Sequence, residues 1–279
     1  MVEHLTAVQP GPGNPPSQRF LGQLRRETRR RILGLGRLRT YGPGDPIARQ
    51  GEVGDIVYLL LRGHAKISAA TEEGRSVLLA IRGSGDLLGV LELLRPHTWQ
   101  HNVVSVDAVQ AVAIGAERLR RFVERDSETA LAVSGYLARL LRESEQRFIE
   151  AATHSARQRL SRVLSDLADQ YGRVEGGRVR IDVDLTQGEL ASLIAASEPT
   201  VHRELGFLRR RGIVEPGYRR IVVLDLPALR RVAVPGTPAV APVQPAVTTR
   251  RAASRAVPAG SATVPAEAAT IAPSTRNRR

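Results

Sequence analysis

Residues 185–217 read LTQGELASLIAASEPTVHRELGFLRRRGIVEPG. Thr186 and Glu189 have the spacing of a capping box, in which a hydroxyl and a carboxylate each bond a free backbone N–H at the start of a helix. Ser197 can cap a second helix, with Pro199 in its first turn, where the missing N–H costs nothing. Two helices joined by so short a turn predict a helix-turn-helix.

A β-hairpin is predicted directly after this pair of helices. Short apolar runs at 213–215 and 221–224 flank the turn Pro216-Gly217. An α-helix fits the major groove of DNA with its first residues at the base edges, and arginines beyond it can meet phosphates. Arg209 at the end of the second helix and Arg219 near the tip of the hairpin have such places. The pattern favours a DNA-binding winged helix-turn-helix over a generic helical hairpin beside a surface hairpin.

The chain has a different character between residues 37 and 114. Apolar runs at 56–61, 65–67 and 77–81 are separated by glycines, and this spacing of short strands indicates an antiparallel sandwich or barrel. We expect it to belong to a sensory domain over 19–126. The preceding segment, 1–18, is rich in proline and has no apolar period, so we expect it to be disordered.

A helical period replaces this pattern from Ala116 onward. Apolar and small residues lie alternately four and three positions apart and form a heptad seam: Ala130, Ser134, Leu137, Leu141, Ser144, Phe148 and Ala151. We therefore expect a dimerisation helix over 127–154, the alternative being a helix that packs only on its own domain. The winged helix-turn-helix then covers 155–234. Residues 235–279 are mainly Pro, Ala, Thr, Val and Arg, which predicts a disordered basic tail.

Composition excludes several classes of protein. The chain has no cysteine, which rules out disulfides, thiolate metal sites and cysteine nucleophiles. It lacks an apolar leader and any run of about 18 apolar residues, so we expect a cytoplasmic protein with no membrane partner. It also lacks a Walker loop, a nucleophile elbow and a His-Glu zinc motif, and we expect neither an enzyme nor a metal site. The net charge of +13 fits phosphate neutralisation, but it also fits a merely arginine-rich composition in which Lys66 is the sole lysine.

Taken together, these segments resemble the Crp/Fnr family of bacterial transcription regulators over roughly residues 30–232. The resemblance rests on GEVGDIVY at 51–58, LRG at 61–63, GSGDLLG at 83–89, LTQGELA at 185–191 and SEPTVHR at 197–203. It implies an α+β fold with an antiparallel, cyclic-nucleotide-binding-like β-roll, a long dimerisation helix and a C-terminal winged helix-turn-helix domain. It further implies a sequence-specific homodimer on a two-fold-symmetric site in double-stranded DNA, and it leaves RNA polymerase open as another partner.

The resemblance also implies which residues contact DNA. Relatives that read the half-site usual in the family have Arg-Glu in place of Glu198-Pro199. We therefore expect this protein to bind a different DNA sequence. Arg203 is kept and can bind a guanine edge with two hydrogen bonds, worth about 1–3 kcal/mol of discrimination. Glu198 can accept from a cytosine or only stabilise the helix dipole. The positions that touch DNA in relatives are Thr186, Gln187, Ser197, Glu198, Thr200, His202 and Arg203.

The cyclic-nucleotide cassette of the family is incomplete in this sequence. Relatives that bind cyclic AMP have Gly-Glu-Leu, whose carboxylate holds the ribose, and later an Arg-Ser or Arg-Ala pair, whose cation neutralises the phosphate. Both charged groups are missing at the matching positions, while a serine that touches the base in relatives is kept on the long helix. The candidate effector pocket consists of Gly89, Val90, Leu91, Trp99, Gln100 and Ser144.

We therefore expect the roll to bind another small molecule, or none. No cofactor is certain, and both a cyclic nucleotide and haem are disfavoured. The alternative function is a cyclic-nucleotide-binding signalling subunit that lacks specific DNA binding.

Overall fold

The computed structural model describes residues 19–95, 98–217 and 220–234. Eight strands of its N-terminal half form two four-stranded antiparallel sheets, with strand orders β1-β8-β3-β6 and β2-β7-β4-β5. Apolar side chains from both sheets meet in one cluster, so the predicted antiparallel β-roll is confirmed. The strands are β1 (Arg37–Tyr41), β2 (Pro46–Ala48), β3 (Ile56–Arg62), β4 (Ala65–Ala70), β5 (Ser76–Arg82), β6 (Leu87–Leu88), β7 (Asn102–Ser105) and β8 (Val109–Gly115).

Helices cover one end of this roll. A short 3-10 helix (Phe20–Gln23) and α1 (Arg26–Leu33) precede the strands, α2 (Val90–Leu94) lies between β6 and β7, and α3 (Ala116–Arg125) and α4 (Ser127–Thr153) follow β8. Asp126 begins α4, because its carboxylate accepts a hydrogen bond from the backbone N–H of Thr129 at 2.9 Å. None of the helices in the described ranges combines the length and the apolar content that a membrane span requires.

The long helix α4 is buried along one face only. Ala132, Val133 and Tyr136 pack into an apolar cluster with strands β3, β6 and β8 of the roll. The Tyr136 hydroxyl donates to the carbonyl oxygen of Leu87 at 3.1 Å, which satisfies a polar group that would otherwise be costly to bury. The orientation of α4 on the roll is therefore set by its first half.

A buried ion pair lies beside this apolar contact. Nη2 of Arg139 donates to Oδ1 of Asp86 at 2.8 Å, and both side chains are almost fully buried. The second oxygen of Asp86 accepts from the backbone N–H of Gly83 at 3.0 Å. Glu143 pairs with Arg139 and also with Arg82 of β5, at 3.1 Å from the latter. The network ties α4 to the loop that precedes β6.

The C-terminal half contains a third antiparallel sheet, with strand order β11-β12-β10-β9, and four helices. Its elements are α5 (Ala156–Tyr171), β9 (Gly172–Glu175), β10 (Arg178–Ile181), α6 (Gln187–Leu193), α7 (Glu198–Arg210), β11 (Val214–Gly217), β12 (Arg220–Val223) and α8 (Leu226–Ala233). One apolar cluster joins them, including Leu160, Leu164, Leu190, Val201, Leu205, Leu208, Val223 and Leu229. This arrangement is a winged helix-turn-helix, as the sequence predicted.

The predicted turn of the wing was wrong. Pro216 and Gly217 belong to β11, where they pair with Ile221 and Arg220 of β12, so they do not form the predicted turn. The hairpin β9–β10 and helix α8 were not predicted. Asp225, whose carboxylate accepts from the N–H of Ala228 at 2.8 Å, was a readable signal for α8 because it precedes Pro227.

Substitution of Arg139 tests how much the buried ion pair contributes to the stability of the fold. In Arg139→Met the carboxylate of Asp86 stays buried without its cation, and we expect the free energy of unfolding to fall by about 3–5 kcal/mol in urea denaturation. The matched control is Arg121→Met, which breaks an exposed i, i+4 pair with Glu117 and should cost at most about 1 kcal/mol. Equal losses in the two variants would contradict a structural role for the buried pair.

Candidate nucleic-acid interface and effector pocket

The predicted capping box of α6 is confirmed. Oγ1 of Thr186 accepts from the backbone N–H of Glu189 at 3.1 Å, and Oε2 of Glu189 accepts from the N–H of Thr186 at 2.8 Å. Two of the free N–H groups at the start of the helix are thereby satisfied. The capping box fixes the first helix of the helix-turn-helix at its N-terminal end.

Helix α7 begins where the sequence predicted, with Pro199 in its first turn, but the side-chain cap of Ser197 is not formed. Ser197 stands at the N-cap with extended backbone, but its hydroxyl lies 3.0 Å from the Thr200 hydroxyl and makes no bond to a backbone N–H. The side chain of Glu198 points towards α6. Its Oε1 lies 2.6 Å from the position that a Cβ atom on Gly188 would occupy. A side chain at position 188 would displace the end of the Glu198 side chain. The contact places the Glu198 carboxylate beside the first turn of α6, where the helix dipole favours negative charge.

The predicted DNA-contacting residues lie on the surface of the winged domain. Glu198, His202 and Arg209 are exposed and form a stripe along α7 with helical spacing, about a quarter turn from the buried Val201 and Leu208. Exposed side chains also occur at Thr186, Gln187, Ser197 and Arg203, while Thr200 is half-buried. Arg219 lies outside the described residues. The helix thus presents a polar face that no other described element covers.

A buried carboxylate bonds Arg203, and it was not predicted from the sequence. The side chain of Glu204 is only 6% exposed, and it bonds Nε of Arg203 at 3.0 Å and Nε of Arg157 at 2.7 Å. Burial raises the pKa of Glu204, but the hydrogen bonds and charges of the two arginines outweigh this effect and hold the pKa below its usual value. The available signal was an acidic residue on the buried side of α7, where the helical period calls for an apolar one.

The candidate effector residues fall in different environments. Trp99 is buried and packs with its ring centroid 6.1 Å from that of Tyr58, inside the roll. Gly89 has φ +83°, and a Cβ there would lie 2.9 Å from the Trp99 ring, so glycine is required on both counts. Val90 packs in the other apolar cluster of the roll, towards α3 and α4. The side chains of Leu91, Gln100 and Ser144 are exposed.

Aromatic rings pack next to Trp99 in the interior of the roll. Tyr41 and Tyr58 meet edge to face with centroids 6.3 Å apart. Burial, together with the neighbouring Tyr41, raises the pKa of Tyr58 to about 12, so its phenol is neutral at physiological pH. The buried carboxylate of Glu92 accepts from the backbone N–H of Gln100 at 3.4 Å. None of these contacts supplies a cation for a phosphate.

The winged domain packs against the roll of the same chain. Leu78 and Ile81 of β5 belong to the apolar cluster of the winged domain, and the Tyr171 hydroxyl donates to the carbonyl oxygen of Ile81 at 3.4 Å. Nζ of Lys66 on β4 lies 2.7 Å from Oε1 of Glu189, the carboxylate of the capping box. The sole lysine of the chain therefore joins the sensory roll to the first helix of the helix-turn-helix.

Two family models match the chain. One describes a cyclic nucleotide-binding domain and matches residues 38–126. The other describes a Crp-like helix-turn-helix domain and matches residues 158–232. With the exposed face of α7, these matches define a transcription regulator that binds DNA through its C-terminal domain.

Known proteins with this combination identify the family. A CRP-like cAMP-activated global transcriptional regulator from Mycobacterium tuberculosis is 30% identical over 188 residues, which cover 67% of this chain and 84% of the relative. The cyclic AMP receptor protein of Thermus thermophilus is 29% identical over 196 residues, covering 70% and 87%. A solved structure of a CRP/FNR-family regulator, also from Thermus thermophilus, matches with a TM-score of 0.62 at 25% identity, covering 71% and 98%. The chain belongs to the Crp/Fnr family, whose members named here are transcription regulators rather than enzymes.

A double-mutant cycle can measure the coupling between Lys66 and Glu189. We expect Lys66→Met and Glu189→Gln to be non-additive, with a coupling of about 0.5–1 kcal/mol in the free energy of unfolding, because the pair is partly buried. The control cycle uses Arg75 and Glu73, an exposed pair on a β-turn, whose coupling should be near zero. Full additivity of the first pair would mean that the contact does not hold the winged domain on the roll.

Proposed function

We propose that this protein is a cytoplasmic, homodimeric, sequence-specific transcription regulator, with a roll over 19–126, a dimerisation helix over 127–154 and a winged domain over 155–234. The observation that carries the proposal is the exposed polar face of α7 on a winged helix-turn-helix. Its first turns would read bases in the major groove, and Arg209 at its end would meet a phosphate. Arg219 and Thr186 would contact the backbone on either side. RNA polymerase stays open as another partner.

An uncovered apolar stripe on α4 supports the homodimer. On the second half of α4, Leu141 and Phe148, two members of the heptad seam, are 61% and 77% exposed, while Arg147 on another side of the helix bonds the Leu79 carbonyl of the roll. Leu131 is exposed on the same helix further towards its start. A second copy packed along α4 would remove these side chains from water, each worth about 1.5–3 kcal/mol when fully buried. Such a dimer would present two copies of α7 to a two-fold-symmetric DNA site.

The roll does not fit a cyclic nucleotide in the way that the family's cyclic-AMP cassette requires. Val90 replaces the ribose-binding carboxylate, and Gln100 stands where the phosphate-binding arginine would be. The buried Trp99 occupies the interior beside α2. A phosphate enclosed there would lose its hydration without gaining a cation, which is unfavourable. We therefore propose that cyclic AMP does not control this regulator, in contrast to its relative from Mycobacterium tuberculosis, which is described as cAMP-activated.

A change in the roll can reach the DNA-binding face through the joint between α4 and α5. Arg159 on α5 donates from Nη1 to the carbonyl oxygen of His154 at 2.5 Å and to that of Ala151 at 3.3 Å, at the end of α4. The same guanidinium bonds the carbonyl oxygens of Ile194, at 2.7 Å, and Ala195, at 3.3 Å, in the turn of the helix-turn-helix. One side chain thus joins the end of the dimerisation helix to the start of the recognition region. A signal that moved α4 would shift the population of winged-domain orientations.

Replacing Arg203 with Ala tests the reading of bases. We expect the affinity for the selected DNA site to fall about 5- to 150-fold, the equivalent of 1–3 kcal/mol, as measured by fluorescence anisotropy. The far-ultraviolet circular dichroism and the dimer mass should not change. The control is Arg121→Ala, which removes one exposed charge from α3 on the roll and should leave specific binding intact. Parent-like binding by Arg203→Ala would show that the assignment of the recognition residue is wrong.

Selection of DNA from a random-sequence pool tests both the function and the effector. Purified full-length protein is used alone and again with cyclic AMP. We expect the same two-fold-symmetric site in both arms, with an affinity that the nucleotide does not change. A site enriched only with cyclic AMP would contradict the loss of the nucleotide switch. Nucleotide binding without enrichment in either arm would favour the alternative, a signalling subunit that lacks specific DNA binding.

A further inference from the structure

Glu204 lies in the middle of the recognition helix α7. Both of its carboxylate oxygens are used: Oε1 accepts from Nε of Arg203, and Oε2 accepts from Nε of Arg157 on α5. The guanidinium of Arg157 lies over the Phe207 ring, 3.5 Å from its centroid, and Arg211 lies over the same ring at 5.1 Å. The carboxylate is thus held from the side of α5 by an arginine that is itself fixed by an aromatic ring.

Helix geometry alone does not bring the side chains of Arg203 and Glu204 together. Neighbouring residues on a helix do not face each other, so the Arg203 side chain must fold back along α7 to reach the carboxylate. The bond uses Nε, and a guanine edge is read by two N–H donors of one guanidinium. The terminal Nη1 and Nη2 groups of Arg203 can supply both donors while Nε stays on Glu204. The side chain of Arg203 is 67% exposed, so these groups are accessible to a ligand.

We propose that Glu204 is a positioning residue for base recognition: it holds the guanidinium of Arg203 in the orientation that reads a guanine. The inference rests on the proposed function, in which Arg203 contacts a base. A long arginine side chain loses rotamer freedom when it binds, and a group that is already ordered loses less. The carboxylate orders Arg203 before DNA arrives, and Arg157 keeps the carboxylate itself in place. Glu204 contributes to specificity without touching DNA.

Glu204→Gln tests the proposal, because glutamine keeps the size of the side chain but cannot accept charge-assisted bonds from two arginines. Binding is measured to the DNA site that the parent protein selects and to a panel of single base-pair variants of that site. We expect the affinity for the selected site to fall about tenfold, and the discrimination at the base pair read by Arg203 to fall by a similar factor. Binding to unrelated DNA should stay the same or rise slightly, because one negative charge is removed near the phosphates.

Two comparisons separate positioning from a merely structural role. Loss of fold stability would weaken binding to all DNA sequences alike and would leave the discrimination unchanged. In a double-mutant cycle, Glu204→Gln should have no further effect on discrimination once Arg203 is Ala. The matched control is Glu150→Gln. Glu150 is another buried carboxylate, away from α7, and it bonds Arg162 at 3.1 Å. This variant should discriminate between the DNA sites as well as the parent protein does.

A second variant covers the case in which Glu204→Gln does not fold. Arg157→Gln removes the anchor of the carboxylate and leaves Arg203 and Glu204 in place, and we expect a smaller loss of discrimination at the same base pair. If Arg203→Ala keeps the full discrimination, the proposed reading of DNA fails. If Arg203→Ala loses discrimination while Glu204→Gln or Arg157→Gln keeps it, the positioning role is overturned and the proposed function stands.

Discussion

The attachment of α4 to the roll is the constraint on which the rest of the structure depends. Tyr136 and its apolar neighbours bury one face of the helix, and Arg139 pairs with Asp86 inside the same contact. A buried ion pair contributes little net stability, but it tolerates few alternative geometries, because a displaced charge would lie unpaired in an apolar environment. The direction of the rest of α4 follows from this contact. That direction decides where a second copy can pack and where the winged domain begins.

Polar contacts from α5 connect this framework to the DNA-binding face. The capping box of Ser155 and Gln158 starts α5 immediately after α4 ends, so the joint between the two helices is short. Arg159 bonds the carbonyl oxygen of His154 at this joint and that of Ile194 in the turn of the helix-turn-helix, and Arg157 reaches Glu204 on α7. Arginine suits this work because its planar guanidinium can donate in several directions at once. A small rotation of α5 would therefore change the surroundings of the recognition helix.

The interior of the roll is packed with its own side chains. The glycine that begins α2 is needed here for packing against Trp99, whatever it does for a ligand in relatives. The interior around Tyr41 and Tyr58 is stabilised by aromatic packing, which does not require a bound nucleotide to fill the space. In this arrangement the roll can act as a rigid support for α4 and for the winged domain, which rests on β5 and on Lys66.

The sequence by itself determined the elements whose signals are local. The capping box of Thr186 and Glu189, the helical period of α7 and the heptad spacing of α4 depend on residues a few positions apart, so each could be recognised from the chain alone. Only the tertiary structure decided which polar side chains meet across the fold. The pairs Lys66–Glu189, Arg139–Asp86 and Arg157–Glu204 join residues 47 or more positions apart. Charged side chains are long and flexible, and their partners are fixed by packing rather than by sequence spacing.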